Sequence, residues 1–311
     1  MIIPAVVTPF DEEERIDYRA FERLINHLID AGVHGLFFAG GQGEFFALSG
    51  LERREMMREV TTMVAGRVPV YMGVGAVTTR ESVELALAAG DAEVDYAVAI
   101  TPYYLKPSQS ELLEHYLAIC RHSRAPVLAY NIPERTGVEL KPQTARRIAE
   151  ASDRFVGLKD SSGDLEQFRQ FVDVGRQVGR SFRVFMGRDH LILPGLEAGG
   201  VGAVSACANV IPRTFVELYE AYSRGDRALA ERLQERARPL RMAFSMGTFP
   251  VVIKEAMKIA GIPAGDCRRP VTNLSPAERE QLRGIVEAVL AEPARGATAL
   301  PAEWVRSSNA G

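Results

Sequence analysis

Short apolar runs rich in β-branched and aromatic residues alternate along this chain with stretches of helical periodicity. The repeat, roughly 20–35 residues, restricts the fold more than any other feature. Strands are expected at residues 2–7, 35–39, 68–73, 96–100, 126–130, 155–159, 183–186 and 202–205, each followed by a helical segment. Eight such units in series predict an α/β fold closed into a (β/α)8 TIM barrel rather than an open sheet. Helix starts are marked by capping-box spacing at Ser49 with Glu52, Thr78 with Glu81, and Ser108 with Glu111, and by Pro142 and Pro212 at first-turn positions. Within residues 17–31, Phe21, Leu24, Ile25 and Leu28 form one apolar stripe, as a helix coating a barrel requires. Residues 226–262 and 275–291 read as helix without further strands. The expected organisation is therefore a barrel over 1–224, a helical extension over 225–294, and a frayed Ala/Pro/Ser-rich tail over 295–311.

Charge and cysteine usage exclude several function classes. The chain has 37 Lys and Arg against 40 Asp and Glu, a formal charge of -3, with the two signs interspersed. No nucleic-acid surface is expected from that pattern. No apolar run approaches the ~18 residues of a membrane span, and the N-terminal segment lacks the basic start of an export signal. Cys120, Cys207 and Cys267 are far apart and form no CxxC, which argues against a disulfide framework and for a reducing compartment, the cytoplasm. His27, His34, His115, His122 and His190 form no HxxxH or HxH pair. Each is expected at the surface or satisfied internally, and neither a metal nor an organic cofactor is expected.

Active sites of such barrels lie at the C-terminal ends of the strands. That rule selects GGQGE (40–44), YNIPERTG (130–137) and GLKDSSGD (157–164). Lys159 ends an apolar strand on the same face as Phe155 and Gly157. A buried ammonium costs several kcal/mol unless it gives up its proton, and the neutral amine attacks ketones. The alternative is a strand-end lysine that reaches solvent or pairs with Asp160. Tyr130 ends the preceding strand, about 4.8 Å away, where a phenol could shuttle protons or simply pack with a wet tip. Gly40, Gly41 and Gly43 let backbone N–H groups converge on a carboxylate, and a plain flexible turn is the competing reading. Neither GK[ST] nor GxGxxG runs through that loop, so it is no phosphate loop. Arg135 could clamp a second carboxylate bidentately or remain solvated.

Taken in order, GLFFAGGQGEFFAL, ITPYYLKPSQ, YNIPERTG, FVGLKDSSGD, VFMGRDH, GAVSACANV and CRRPVTNLSP resemble the dihydrodipicolinate synthase / N-acetylneuraminate lyase family, from about residue 2 to 282. The resemblance implies a (β/α)8 barrel with a C-terminal helical extension and a class I lyase or aldolase acting on pyruvate or a related 2-oxo acid. It carries the Schiff-base lysine to Lys159, the acid/base tyrosine to Tyr130, and a second tyrosine, donated across a subunit interface, to Tyr104. Carboxylate binding falls on Gly41 and Gln42, ligand contact on the backbone at Gly187 and Val204, and a carboxylate-bearing partner on Arg135. A homodimer or homotetramer follows, with 2-oxo acid and aldehyde as its small-molecule substrates.

This chain also departs from the family pattern. Members usually carry hydroxyl residues inside GTTGE or GSTGE, where this sequence has Gly41-Gln42. The first of those hydroxyls links the two tyrosines in the synthases, so here water must complete any proton relay. Aldolases for neutral sugar-like aldehydes generally lack the arginine that Arg135 supplies. The alternatives are a 4-hydroxy-2-oxo acid or 2-keto-3-deoxy sugar acid aldolase or dehydratase, and a non-catalytic 2-oxo acid binding protein. A metal- or phosphate-dependent barrel enzyme is a further alternative, with no support from the histidines.

Overall fold

A computed structural model describes residues 1–291, so the expected tail over 295–311 lies outside the described residues. The strands are β1 (Ile2–Pro4), β2 (Leu36–Phe38), β3 (Val70–Gly73), β4 (Tyr96–Ile100), β5 (Val127–Asn131), β6 (Phe155–Asp160), β7 (Arg183–Met186) and β8 (Gly202–Ser205). The helices are α1 (Tyr18–Asp30), α2 (Gly50–Val64), α3 (Thr79–Asp91), α4 (Gln109–His122), α5 (Pro133–Thr136), α6 (Pro142–Ala151), α7 (Leu165–Val178), α8 (Ile192–Glu197), α9 (Pro212–Ser223), α10 (Arg227–Met242), α11 (Val251–Ile259) and α12 (Pro276–Ala291). Eight strands in one sheet, with helices between them, make this a (β/α)8 barrel. No helix among the described residues is long and apolar enough to cross a membrane.

Two compact units are distinguished by their internal contacts. One comprises Met1 with residues 48–204; the other comprises residues 2–47 with those from 205 onward. In the first unit, β3 to β8 pair consecutively and in parallel. Their residues are buried almost throughout, as expected of strands covered on both faces. Ser49 and Ser108 form complete capping boxes with Glu52 and Glu111. At Thr78 the capping is one-way: its hydroxyl accepts from the Glu81 N–H at 3.3 Å, without the return bond that would make a box.

In the second unit, β1 and β2 meet through the parallel bridge Ala5–Phe37. The expected first strand, over 2–7, is assigned only to Pro4, but its backbone remains bonded, with the Val6 N–H donating to Phe37 O at 2.9 Å. In α1, Asp17 caps the first turn and Phe21, Leu24, Ile25 and Leu28 are buried as one stripe. The helices from 225 onward belong to this unit. The helical stretch expected over 226–262 is divided at 247–250, where Gly247 and Pro250 interrupt the periodicity between α10 and α11. Ser275 and Glu278 cap α12 reciprocally.

One buried histidine gives a pH test of this packing. His115 on α4 is 4% exposed, with Nδ1 2.9 Å from the Thr79 hydroxyl, and burial pushes its pKa down to about 4. The ordinary value near 6.5 applies once the chain unfolds. Unfolding therefore takes up a proton as pH falls below about 6.5, and stability declines until pH passes below about 4. The loss attributable to this one group is roughly 3 kcal/mol. Urea unfolding at pH 7 and pH 4.5 should show a steeper decline for the parent protein than for His115→Gln. Equal slopes would rule the histidine out as the cause.

Candidate active site

The first unit places Lys159 and Tyr130 together. They are register partners on β6 and β5, each 6% exposed. The Lys159 amine lies 4.1 Å from the centre of the Tyr130 ring. This pairing depends on an irregularity at the start of the ladder. Val127 opposes Phe155 but Leu128 opposes Gly157, so Val156 is passed over and Tyr130 meets Lys159 rather than Leu158. In a period-two structure, one residue of slip exchanges the faces. The irregularity is thus what puts a phenol beside an amine.

The next residue, Asp160, points elsewhere. Its carboxylate accepts from Asn131 Nδ2 at 2.8 Å and from the Ser162 hydroxyl at 2.7 Å. Burial raises the Asp160 pKa, opposed by those hydrogen bonds and by Arg188. Asn131 also accepts the Leu140 N–H at 3.0 Å, so one amide joins the end of β5, the end of β6 and the segment before α6. Strand alternation therefore sends the lysine to one face and a hydrogen-bonded carboxylate to the other.

Gly187, just beyond β7, closes in on the same lysine. Its N–H donates to Asp160 O at 2.7 Å. A Cβ added there would lie 2.0 Å from the Ser161 hydroxyl oxygen, 2.9 Å from Asp160 O and 3.1 Å from Lys159 Cε. The position is a close-approach glycine. Sequence reasoning missed its neighbour Arg188, whose Nε donates to Ser161 O at 2.7 Å and whose Nη2 pairs with Glu134 at 2.5 Å. That guanidinium ties the turn after β6 to α5, where Arg135 sits exposed between Glu134 and Thr136. Only the tertiary fold brings Arg188 to these partners, which lie 27 and 54 residues away.

Tyr104 is 93% exposed and has φ of 72°, a left-handed backbone that a tyrosine seldom adopts. Tyr103 beside it is half-buried, its pKa raised by burial and drawn back by Arg53. Arg53 is itself buried, donating to Gly73 O at 2.7 Å and Gly75 O at 3.1 Å, with its pKa lowered to about 10 by that burial. Val204 is buried in β8.

The second unit contains the GGQGE segment. Gln42 is 4% exposed and its Oε1 is buried without a hydrogen-bond partner. The two ends of a carboxamide exchange by a half-turn, so this end could present either an acceptor or an NH2 donor. The left-handed backbone falls not on the glycines but on Ala39 (φ 48°) and Glu44 (φ 53°). The N–H groups of Glu44 and Phe45 are used within the turn, on Gly41 O and Gly40 O. Glu44 is fully buried and paired with Lys254 at 2.5 Å. Sequence reading missed that pairing, for the partners lie in separate parts of the chain.

Comparison with known proteins agrees with this architecture. Residues 1–289 match the family model described as the Dihydrodipicolinate synthetase family. A 4-hydroxy-tetrahydrodipicolinate synthase of Methanopyrus kandleri is 38% identical over 283 residues, covering 91% of this chain and 93% of the relative. The enzyme of the same name from Methanoculleus marisnigri is 37% identical, covering 92% and 97%. Among solved structures, YagE, a prophage protein of the dihydrodipicolinic acid synthase family from E. coli K12 in complex with pyruvate, superposes with a TM-score of 0.89 at 32% identity. That match covers 93% of this chain and 98% of the other. The Thermotoga maritima dihydrodipicolinate synthase also gives 0.89 at 32% identity, with 93% and 97% covered. A full-length family match and an eight-stranded barrel like those of solved members lead to one assignment: this chain belongs to the dihydrodipicolinate synthetase family.

Proposed function

We propose that the protein is a class I lyase, dihydrodipicolinate synthase-like, that binds pyruvate or a related 2-oxo acid as an imine on Lys159. The observation that carries this reading is the Lys159 amine held 4.1 Å from the centre of the Tyr130 ring, both side chains buried at strand ends. The amine adds to the C2 carbonyl, water leaves, and the imine withdraws electrons from C3. Loss of a C3 proton gives an enamine, which adds to an aldehyde carbon to form the new C–C bond. Cleavage is the reverse. The Tyr130 hydroxyl moves the protons.

On the family resemblance, Gly41 and Gln42 take the 2-oxo acid carboxylate, and the backbone at Gly187 and Val204 contacts the same ligand. Arg135 favours an aldehyde partner that carries its own carboxylate. Tyr104, with its exposed ring, completes the site of a second copy in a homodimer or homotetramer. The three cysteines are buried and not joined in disulfides, which supports a cytoplasmic setting.

A second reading rests on Gly41, which offers no hydroxyl for a relay between tyrosines. It is cleavage of a 4-hydroxy-2-oxo acid, or aldol or dehydratase chemistry on a 2-keto-3-deoxy sugar acid. A non-catalytic 2-oxo acid binding protein would bind pyruvate without exchanging its methyl protons. Borohydride added with pyruvate should fix one pyruvate-derived group on the peptide containing Lys159, and an unmodified peptide would remove the mechanism. Pyruvate release from several 4-hydroxy-2-oxo acids, measured beside condensation with aspartate semialdehyde, separates the first two readings.

The Gly187 geometry gives a further test. In Gly187→Ala the new methyl crowds the Ser161 hydroxyl and Lys159 Cε. A displacement of the amine by about 1 Å is expected to slow imine formation on the order of 10²-fold. Adding Ser161→Gly removes the closest clash but leaves those with Asp160 O and Lys159 Cε, so it should recover only part of that loss. A Gly187→Ala protein that forms the imine at the parent rate would show that this close approach does not fix the amine.

A further inference from the structure

Helix α11 carries two adjacent buried charges, Lys254 and Glu255, each 1% exposed. Glu255 is answered by Lys258 at 2.5 Å and by Arg279 of α12 at 3.0 Å, so it joins two helices of the extension. Lys254 is turned to a different purpose. Its amine lies 2.5 Å from Glu44 Oε1, donates to Asp266 O at 2.8 Å, and sits 4.4 Å over the Phe10 ring. Burial pushes the Lys254 pKa below the usual lysine value, and Glu44 draws it back.

The other oxygen of Glu44 accepts the Arg268 N–H at 3.0 Å. The Arg268 guanidinium then donates to Ala47 O at 2.8 Å and to Glu14 O at 2.6 Å. The last residue of GGQGE is therefore held through both its oxygens, and the backbone three residues later is held as well. That anchoring meets a local need. Ala39 and Glu44, which bracket the segment, both have left-handed φ without being glycine, and such residues cost about 1–3 kcal/mol each unless their surroundings fix them.

A buried ion pair is a poor device for stability alone, because well-packed apolar residues of similar volume often do as well or better. What it adds is direction: an ammonium and a carboxylate at full burial tolerate few relative placements. Between the two left-handed residues lies Gln42, itself buried and with one end of its amide unpartnered, as a group awaiting a ligand would be.

We infer that Lys254, acting through Glu44, is a positioning residue that holds the GGQGE loop in the form that takes the 2-oxo acid carboxylate. The inference rests on the assignment of that carboxylate to Gly41 and Gln42. It makes Lys254 no part of the chemistry, since it touches the loop's glutamate and not the reacting atoms.

The test is the double variant Glu44→Gln/Lys254→Met, which removes both charges together and leaves neither buried alone. Thermal unfolding reports whether the fold is kept. Borohydride trapping against pyruvate concentration gives the half-saturation, and deuterium exchange into the pyruvate methyl at saturation gives the rate of the chemistry. Half-saturation should rise about tenfold or more while the saturating rate stays within about threefold of the parent, the signature of lost substrate binding without lost transition-state contacts. Lys254→Arg, which keeps the charge, should restore half-saturation to within about threefold. Should the double variant not fold, Glu44→Gln/Lys254→Gln, which is also neutral but keeps hydrogen-bonding groups at both positions, is read by the same criterion. Parent-like half-saturation in either neutralised variant overturns the positioning role and leaves the imine assignment intact. No trapped adduct on the parent protein overturns the imine assignment itself, so the two failures are distinguishable.

Discussion

Lys159→Arg is expected to abolish covalent capture of pyruvate and to lower turnover by on the order of 10⁴-fold or more. Arginine keeps the positive charge and much of the stem, but its guanidinium stays protonated at any accessible pH and cannot attack a ketone. The substitution therefore separates charge from nucleophilicity. If Lys159 served only as a cation beside the Tyr130 ring, arginine would serve nearly as well, since it makes such contacts readily. Mass spectrometry of borohydride-treated protein should find no pyruvate-derived group on the variant. An adduct of parental yield, located on another lysine, would transfer the role to that residue. Unfolding temperature should be measured alongside, because a bulkier head in a buried position carries an overpacking cost of about 1–3 kcal/mol.

Tyr130→Phe should show a different signature. The ring that Lys159 faces remains, and only the hydroxyl is lost, so pyruvate should still be trapped as the reduced imine. The steps that move a proton should slow by about 10²–10⁴-fold, the usual contribution of a positioned acid or base. Deuterium exchange into the pyruvate methyl reads that step without needing the aldehyde partner. Exchange at the parental rate in Tyr130→Phe would mean that the proton travels by water or by another group. Loss of trapping would instead assign the hydroxyl to formation of the imine. The pair of variants thus divides attachment from proton transfer, the two operations that a Schiff-base lyase must combine.

Both predictions depend on a strand register that short-range pattern does not fix. Alternation along residues 155–160 is local, and it suffices to put Phe155, Gly157 and Lys159 on one face. Which residue of β5 stands opposite Lys159 is not local. A regular ladder starting from Val127 and Phe155 would have set Tyr130 against Leu158, and the omission of Val156 sets it against Lys159. Arg188 teaches the same lesson. In sequence it is one loop arginine among many; in the fold it joins the backbone of Ser161 to Glu134. In sequence the glutamate of GGQGE has only its loop for neighbours, whereas its partners in the fold, Lys254 and Arg268, lie more than 200 positions away.

By itself, the sequence determined what short-range physics can encode: eight apolar runs, the serine caps at Ser49 and Ser108, the buried stripe of α1, and loops at strand ends where chemistry is placed. These depend on a period, a cap or a turn spanning a few residues. Tertiary structure alone decided the register that sets the Lys159 amine over the Tyr130 ring, how closely Gly187 approaches Lys159, and what answers the buried charge of Glu44. Such contacts are fixed by strand register and by burial, and each requires a partner that chain order does not name.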